Sequence, residues 1–314
     1  MISPDWTQVQ PGTVTDLQLT PDLGSGEPIA CRLIRGARPG PTLLVTAGVH
    51  GAEYASIEAA TRLMATDPQT LGGMLVVLPI VNPPAFSARS IYINPLDGKN
   101  LNRCFPGRPD GTYAERLAHW LTSEFIAHAD AFLDLHGGDL VEALAPFCIV
   151  PAGDEAAMTL GRVFGLPHLT VSEGQVMSIS AARQQGVPAV IAEAGGQGLW
   201  PEQAVAPLVD GVVRVMRHLK MLDGTSGPLP VQEYHALAWM SAPVSGLWTP
   251  AVQVGETVEA GQPVGHIRDV FGTVLAELSA PAGGTVLFAV TSLAMNAGDP
   301  LYGIGTLSSE APHV

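Results

Sequence analysis

The stretch PTLLVTAGVHGAEYASIEAATRLMA (residues 41–65) changes period near its midpoint. Residues 41–49 form an apolar run with β-branched side chains, the pattern of a strand buried on both faces. From Ala52 the apolar positions recur at helical spacing, which predicts a helix over 52–65. His50 therefore falls at a strand's carboxyl end beside a helix start. Open α/β sheets bind their ligands at that kind of place.

The alternation continues on both sides. GGMLVVLPIV (72–81), AFLDLHG (131–137), PFCIVPA (146–152) and VPAVIAEAGG (187–196) read as further strands, while AERLAHWLTSEFIAHA (114–129) and AVAPLVDGVVRVMRHLKMLDG (204–224) carry a helical period. This predicts a layered α/β domain over residues 1–224, with functional side chains gathered at one sheet edge. NPPAFSARSIYINPLDGKNLNRCFPG (82–107) reads as a long connection without regular structure, and it carries Arg89, Lys99, Asn102 and Arg103. Connections of that length in compact domains are usually functional or disordered, and the aromatic and aliphatic residues throughout this one argue against disorder.

After Gly224 the texture changes. TSGPLP (225–230) reads as a linker, and the short runs that follow are punctuated by Gly and Pro, which predicts a smaller all-β domain over residues 225–314. SAPVSG (241–246) and VEAGQPVGHI (258–267) recur as SAPAGG (279–284) and MNAGDPLYGI (295–304), offset by 38 and 37 residues. Two similar halves sharing one core are expected. The half-motif resembles that of the biotinyl/lipoyl carrier modules. A carrier needs a lysine at a hairpin tip and no lysine follows Lys220, so a structural, barrel-like module is expected instead.

The chain has 314 residues, enough for two domains, and 46% hydrophobic against 14% charged residues excludes a disordered, charge-rich chain. With 29 acidic and 15 basic residues the net charge is −14, which makes nucleic acid and anionic membrane poor partners. The uncharged stretch from Tyr234 to Gly255 is broken by Pro, Ser and Gly too often for a membrane helix. Cys31, Cys104 and Cys148 are too few and scattered for a disulfide framework or a thiolate zinc site. The opening MISPDWTQVQPGTV has neither a basic nor an apolar leader-like run, so a reducing, cytoplasmic setting is expected.

His50-Gly51-Ala52-Glu53 sets an imidazole and a carboxylate three residues apart across the strand-to-helix turn. Both can converge on one ion there, and a third His would complete a catalytic zinc set with a position left for water. The competing explanation is a helix start with Glu53 in its first turn, favoured by the macrodipole. Asp134-Leu135-His136 brings His136 to another strand's carboxyl end, with Asp134 on the same strand face and able to orient it. Glu193 ends the apolar run VPAVIA, where a carboxylate is costly unless paired or used. It reads either as a general base or as a strand terminus paired with Arg183. The pair Asn102-Arg103 suits a carboxylate, since guanidinium grips one through two parallel hydrogen bonds.

HGAE, NPPAF, DGKNLNRCFPG, DLHGG and AEAGG, in this order, resemble the succinylglutamate desuccinylase/aspartoacylase family, relatives of the zinc carboxypeptidases. The likeness runs from Leu43 to Gly198 and extends to the carboxy-terminal β domain. It implies a mixed sheet flanked by helices, and one Zn2+ per chain held by His50, Glu53 and His136. Glu193 would be the general base that later protonates the leaving amine, while Asn102, Arg103 and Arg183 would bind a substrate carboxylate. Arg89 would polarise the scissile carbonyl, although the loop from it to Asn102 is longer here. Where the family commonly has Glu-Leu-Gly, this chain has Glu193-Ala194-Gly195. The implied activity is removal of a short acyl group from a small N-acyl amino acid. A metallocarboxypeptidase acting on small peptides and a non-catalytic binding protein are the alternatives. The acyl group, the amino acid, another divalent metal and homo-oligomerisation stay open.

Overall fold

The structure is a computed structural model that describes residues 6–24 and 26–307, so the first five residues of the opening stretch read above lie outside it. Strands β1 (Thr13–Leu19), β2 (Ile29–Arg35), β3 (Arg38–Ala47), β4 (Gly72–Leu78), β5 (Ala131–His136), β7 (Phe147–Pro151), β8 (His168–Ser172), β9 (Ala189–Glu193) and β10 (Gln232–Tyr234) form one nine-stranded sheet, ordered β1-β2-β4-β3-β5-β9-β7-β8-β10. A short β6 (Glu142–Leu144) leaves this sheet to pair elsewhere. The central β4-β3-β5-β9 run is parallel, β7 opposes β9, and β1 and β2 are antiparallel at one side.

Alternate side chains of β3 feed two cores. Leu43, Val45 and Ala47 pack under α1 (Tyr54–Leu63), α4 (Glu155–Phe164) and α6 (Glu202–His218). Leu44 faces α3 (Tyr113–Glu124) and α5 (Ser178–Gln184) on the other side. Helices on both faces explain why the central strands read as unbroken apolar runs. The connection over 82–107 differs from its expectation, because it contains α2 (Pro83–Ala88) and a 3₁₀ turn at Leu101–Arg103. Proline at the start of α2 costs no hydrogen bond, since that N–H has no helical acceptor.

The carboxy-terminal strands are β11 (Ala236–Ser241), β12 (Gly246–Pro250), β13 (Thr257–Val258), β14 (Pro263–Arg268), β15 (Val274–Ser279), β16 (Gly284–Val290), β17 (Ala294–Met295) and β18 (Pro300–Thr306). They form two sheets, β11-β18-β16-β13 and β15-β14-β12-β17. The sequence repeat is visible as interlocked pairing: β13 of the first half joins β16, and β17 of the second half joins β12. Val264, Ile267, Val286, Leu301 and Ile304 fill the space between the halves.

Two strands cross between the regions read as separate. β10 adds in parallel to β8 of the large sheet, and β6 adds to β16 of the small one. Among the described residues no helix is long and apolar enough to cross a membrane.

Candidate active site

β3, β5 and β9 are adjacent and parallel, so their carboxyl ends open on one sheet edge. His136 and Glu193 end β5 and β9 as register partners, and His50 lies just beyond Ala47 at the end of β3. The turn after His50 depends on Gly51, where a Cβ would collide with the Ala85 carbonyl of α2. That contact binds the HGAE turn to the NPPAF segment.

Glu53 is the N-cap residue of α1, but its side chain caps nothing. It turns instead between the imidazoles: His50 Nδ1 lies 2.6 Å from Oε1 and His136 Nδ1 3.1 Å from Oε2. Burial alone would raise Glu53, yet the two imidazoles hold its carboxyl down at about 2. The helix-start explanation therefore does not account for it. One atom each from His50, Glu53 and His136 falls within 4.8 Å of the others. Two imidazole nitrogens and a carboxylate, mutually facing and nearly enclosed, fit a divalent ion with a coordination position to spare.

Asp134 orients this set. Its Oδ2 lies 3.0 Å from His136 Nε2, which leaves Nδ1 to face Glu53. Thr46 Oγ1 donates to Asp134 Oδ1 at 2.6 Å and Ser178 Oγ to Oδ2 at 2.5 Å, so the carboxylate is itself fixed. Asn100 Oδ1 does the same for His50, 3.1 Å from Nε2.

Glu193 makes no ion pair among the described residues, and burial pushes its carboxyl up to about 8. It lines a cavity of about 130 Å³ together with His50, Glu53, His136, Asn102 and Arg103. Two carboxylates of one pocket are thus pushed in opposite directions, the arrangement that separates ligand from proton carrier. Asn102 is 4% exposed, and its Oδ1 accepts from the Ser178 N–H at 2.9 Å, so its amide NH₂ is what it can offer a ligand. The Arg103 guanidinium donates to the Asn102 carbonyl at 2.9 Å and has no carboxylate partner among the described residues. Leu237, Trp239 and Phe288 of the carboxy-terminal strands complete the cavity wall.

Arg183, Arg89 and Lys99 lie elsewhere. α5 begins at the site, with Ser178 on Asp134, and runs away from it. Arg183 near its end is exposed and donates to the carbonyl of Ala152, beyond the end of β7 remote from Glu193. Arg89 ends α2 in the left-handed conformation and lines a separate outer groove with Tyr54, Phe86 and Trp200. Lys99 pairs with Glu115 of α3 at 3.1 Å. Conversely, the sequence reading passed over Asn100, Tyr92, Asp139 and Glu142. Tyr92 packs edge-on to His50, and its N–H donates to buried Asp139. Asp139 and Glu142 come from an irregular turn and a three-residue strand, which leave no periodicity to read.

The catalytic-domain model of the succinylglutamate desuccinylases and aspartoacylases matches residues 39–219. An N-alpha-acetyl-L-2,4-diaminobutyric acid deacetylase from Halomonas elongata is 30% identical over 281 residues, covering 83% of this chain and 81% of that protein. The crystal structure of a succinylglutamate desuccinylase/aspartoacylase from Rhodobacter sphaeroides aligns with a TM-score of 0.83 at 27% identity, over 96% of this chain and 98% of that one. The product-bound ectoine utilization protein EutE (DoeB) from Ruegeria pomeroyi has the same fold, with a TM-score of 0.84 at 24% identity over 95% and 98% of the two chains.

Proposed function

Since the chain belongs to the succinylglutamate desuccinylase/aspartoacylase family, we propose that it is a zinc-dependent amide hydrolase removing a short acyl group from a small N-acyl amino acid. The observation that carries this reading is Glu193: buried, without an ion pair and raised to about 8, beside His136 of the His50/Glu53/His136 cluster. When bound there, zinc supplies Lewis acidity to an amide carbonyl and to water. Glu193 takes a proton from the attacking water and returns it to the leaving nitrogen, and its elevated pKa suits both transfers near neutrality. Arg103 and the amide of Asn102 hold the substrate carboxylate so that the carbonyl meets the water at productive distance. This reading does not call on Arg89, which lines the outer groove, or on Arg183, which donates to the Ala152 carbonyl.

The wall formed by Leu237, Trp239 and Phe288 supports small substrates, and the Halomonas relative, named as a deacetylase, supports amide cleavage. We assign residues 1–224, with β10 added to their sheet, as the catalytic domain and β11 to β18, without a lysine to carry a cofactor, as a barrel-like structural module. The three free thiols, two of them buried, favour a cytoplasmic setting.

The test uses purified protein loaded with zinc. About one metal per chain is expected by elemental analysis, with faster hydrolysis of N-acetyl amino acids than of dipeptides. Glu193→Gln should keep its zinc and lose about 10²–10⁴-fold in kcat. Preference for dipeptides would make it a carboxypeptidase, and turnover retained in Glu193→Gln would remove Glu193 from the mechanism.

A further inference from the structure

Tyr92 lines the catalytic cavity and packs edge-on to His50, with the ring centres 6.3 Å apart. It reaches that place through a costly turn. Its φ is 57°, and the Ile93 N–H donates across it to the Ile91 carbonyl at 2.6 Å. A three-residue turn centred at positive φ is rare and strained, the more so around a bulky aromatic residue. Such a conformation persists only where its surroundings over-determine it.

The surroundings hold this turn from both sides. The Tyr92 N–H donates to Asp139 Oδ2 at 3.2 Å. Asp139 is fixed in turn, its own N–H donating to Glu142 Oε2 at 2.7 Å and its carbonyl accepting from the Gln197 N–H at 2.8 Å. Two residues after Tyr92, buried Asn94 donates through Nδ2 to Asn82 Oδ1 at 2.5 Å, and Asn82 Nδ2 donates to the Val49 carbonyl at 3.0 Å. Ile93 bridges to Asn100, whose Oδ1 faces His50 Nε2. The ties through Asn94 and Ile93 end at Val49 and His50, so the strained turn is fastened to the segment that begins the metal cluster.

The Tyr92 hydroxyl has no hydrogen-bond partner among the described residues. In the deacylase reading, on which this inference rests, Arg103 and the Asn102 amide hold the substrate carboxylate. Asn100 turns its oxygen to His50, and the Trp239 indole stands on the wall of the β module, packed on Phe288. Arg89, expected at the scissile carbonyl, lines the outer groove in this structure. Attack by water calls for two groups, a base for the attacking oxygen and a donor for the carbonyl oxygen on which charge develops. Glu193 adjoins the cluster through His136, its register partner, whereas Tyr92 adjoins it through His50.

We propose that Tyr92 is a catalytic residue whose hydroxyl donates a hydrogen bond to the scissile carbonyl oxygen as it becomes an oxyanion. The water oxygen bonds to the carbonyl carbon, the π pair moves to the carbonyl oxygen, and Glu193 takes the proton. That pair then re-forms the carbonyl, while the C–N pair leaves on nitrogen and receives the proton from Glu193. Tyr92 keeps its own proton throughout, and its bond adds to the stabilisation from a cation held by the cluster. A turn fixed in advance spares the donor any reorganisation at the moment of reaction.

The experiment compares zinc-loaded wild type with Tyr92→Phe, which keeps the ring against His50 and the backbone bond to Asp139. The substrate is the N-acetyl amino acid hydrolysed fastest. The binding probes are its methylphosphonamidate, whose tetrahedral phosphorus carries an anionic oxygen, and the free amino acid. Tyr92→Phe should lose about 10²–10³-fold in kcat, the range for one oxyanion donor, with KM within a few-fold of wild type. By calorimetry the phosphonamidate should bind about 10–100-fold more weakly, as for one hydrogen bond to a charged group. Affinity for the free amino acid and zinc content should stay at wild-type values. An unchanged kcat, or phosphonamidate affinity that falls no further than that for the free amino acid, overturns the proposal and leaves the ring as cavity wall. A wild type that cleaves dipeptides and no N-acetyl amino acid would sink the deacylase reading. The same comparison, made with the dipeptide and its phosphonamidate, would then decide Tyr92.

Discussion

Asp134 touches no ligand, yet it sets which nitrogen of His136 faces Glu53. Asp134→Asn keeps the size and can still accept from Thr46, but it removes the charge that makes His136 a strong donor. Metal affinity should fall about 10–100-fold, measured by competition with a chelator, while the folded state persists. Unchanged affinity would mean that the strand alone orients the ring. Glu193 sets the pH response. Its carboxyl is raised to about 8 by burial, and only the deprotonated form accepts a proton, so kcat/KM should climb with pH as Glu193 ionises. A bound cation favours the carboxylate, which places the midpoint of the climb at or below 8. A flat profile across the neutral range would separate Glu193 from the rate-limiting proton transfer.

Among the elements, α3 is held at its start by a capping box of Thr112 and Glu115, with the Thr112 N–H donating to Glu115 Oε2 at 2.8 Å. That backbone hydrogen bond, aided by Lys99, holds the Glu115 carboxyl at about 2. A depressed folded pKa stabilises the native state above the ordinary value of 4.5, and the contribution fades as pH falls toward 2. Glu115→Gln should therefore lower the melting temperature at neutral pH, and the gap should close near pH 2. A gap independent of pH would assign the effect to packing. Legibility also divides by element. β3, β4, β5 and β9 were readable because burial on both faces leaves unbroken apolar runs. β1, mostly exposed at the sheet margin, and the seven-residue α5 carry too little pattern to be read. The convergence of His50, Glu53, His136 and Glu193 was legible because each lies at or just beyond a strand end or at a helix start. Arg183 lies apart from them in this structure, because order along the chain does not reveal direction: its helix starts at the site and leaves it.

At the scale of the whole molecule, the two regions exchange strands and share a small core. Leu287 is fully buried there with Ala145, Phe147 and Tyr234, and its carbonyl accepts from the Ala145 N–H at 3.0 Å. Phe147 is in turn the register partner of Glu193, so this core reaches the end of the catalytic strand. Removing the Leu287 side chain to Ala should cost about 2–5 kcal/mol, the range for a buried leucine whose cavity does not collapse. If the exchanged strands make the molecule one cooperative unit, calorimetry will show a single transition in wild type, and Leu287→Ala will move it down by several degrees without splitting it. KM should rise with it, because Leu237 and Phe288 flank the same junction and line the cavity. Two resolved transitions, with only one displaced, would mean that the β module folds independently and that its wall over the site can be removed without unfolding the catalytic sheet.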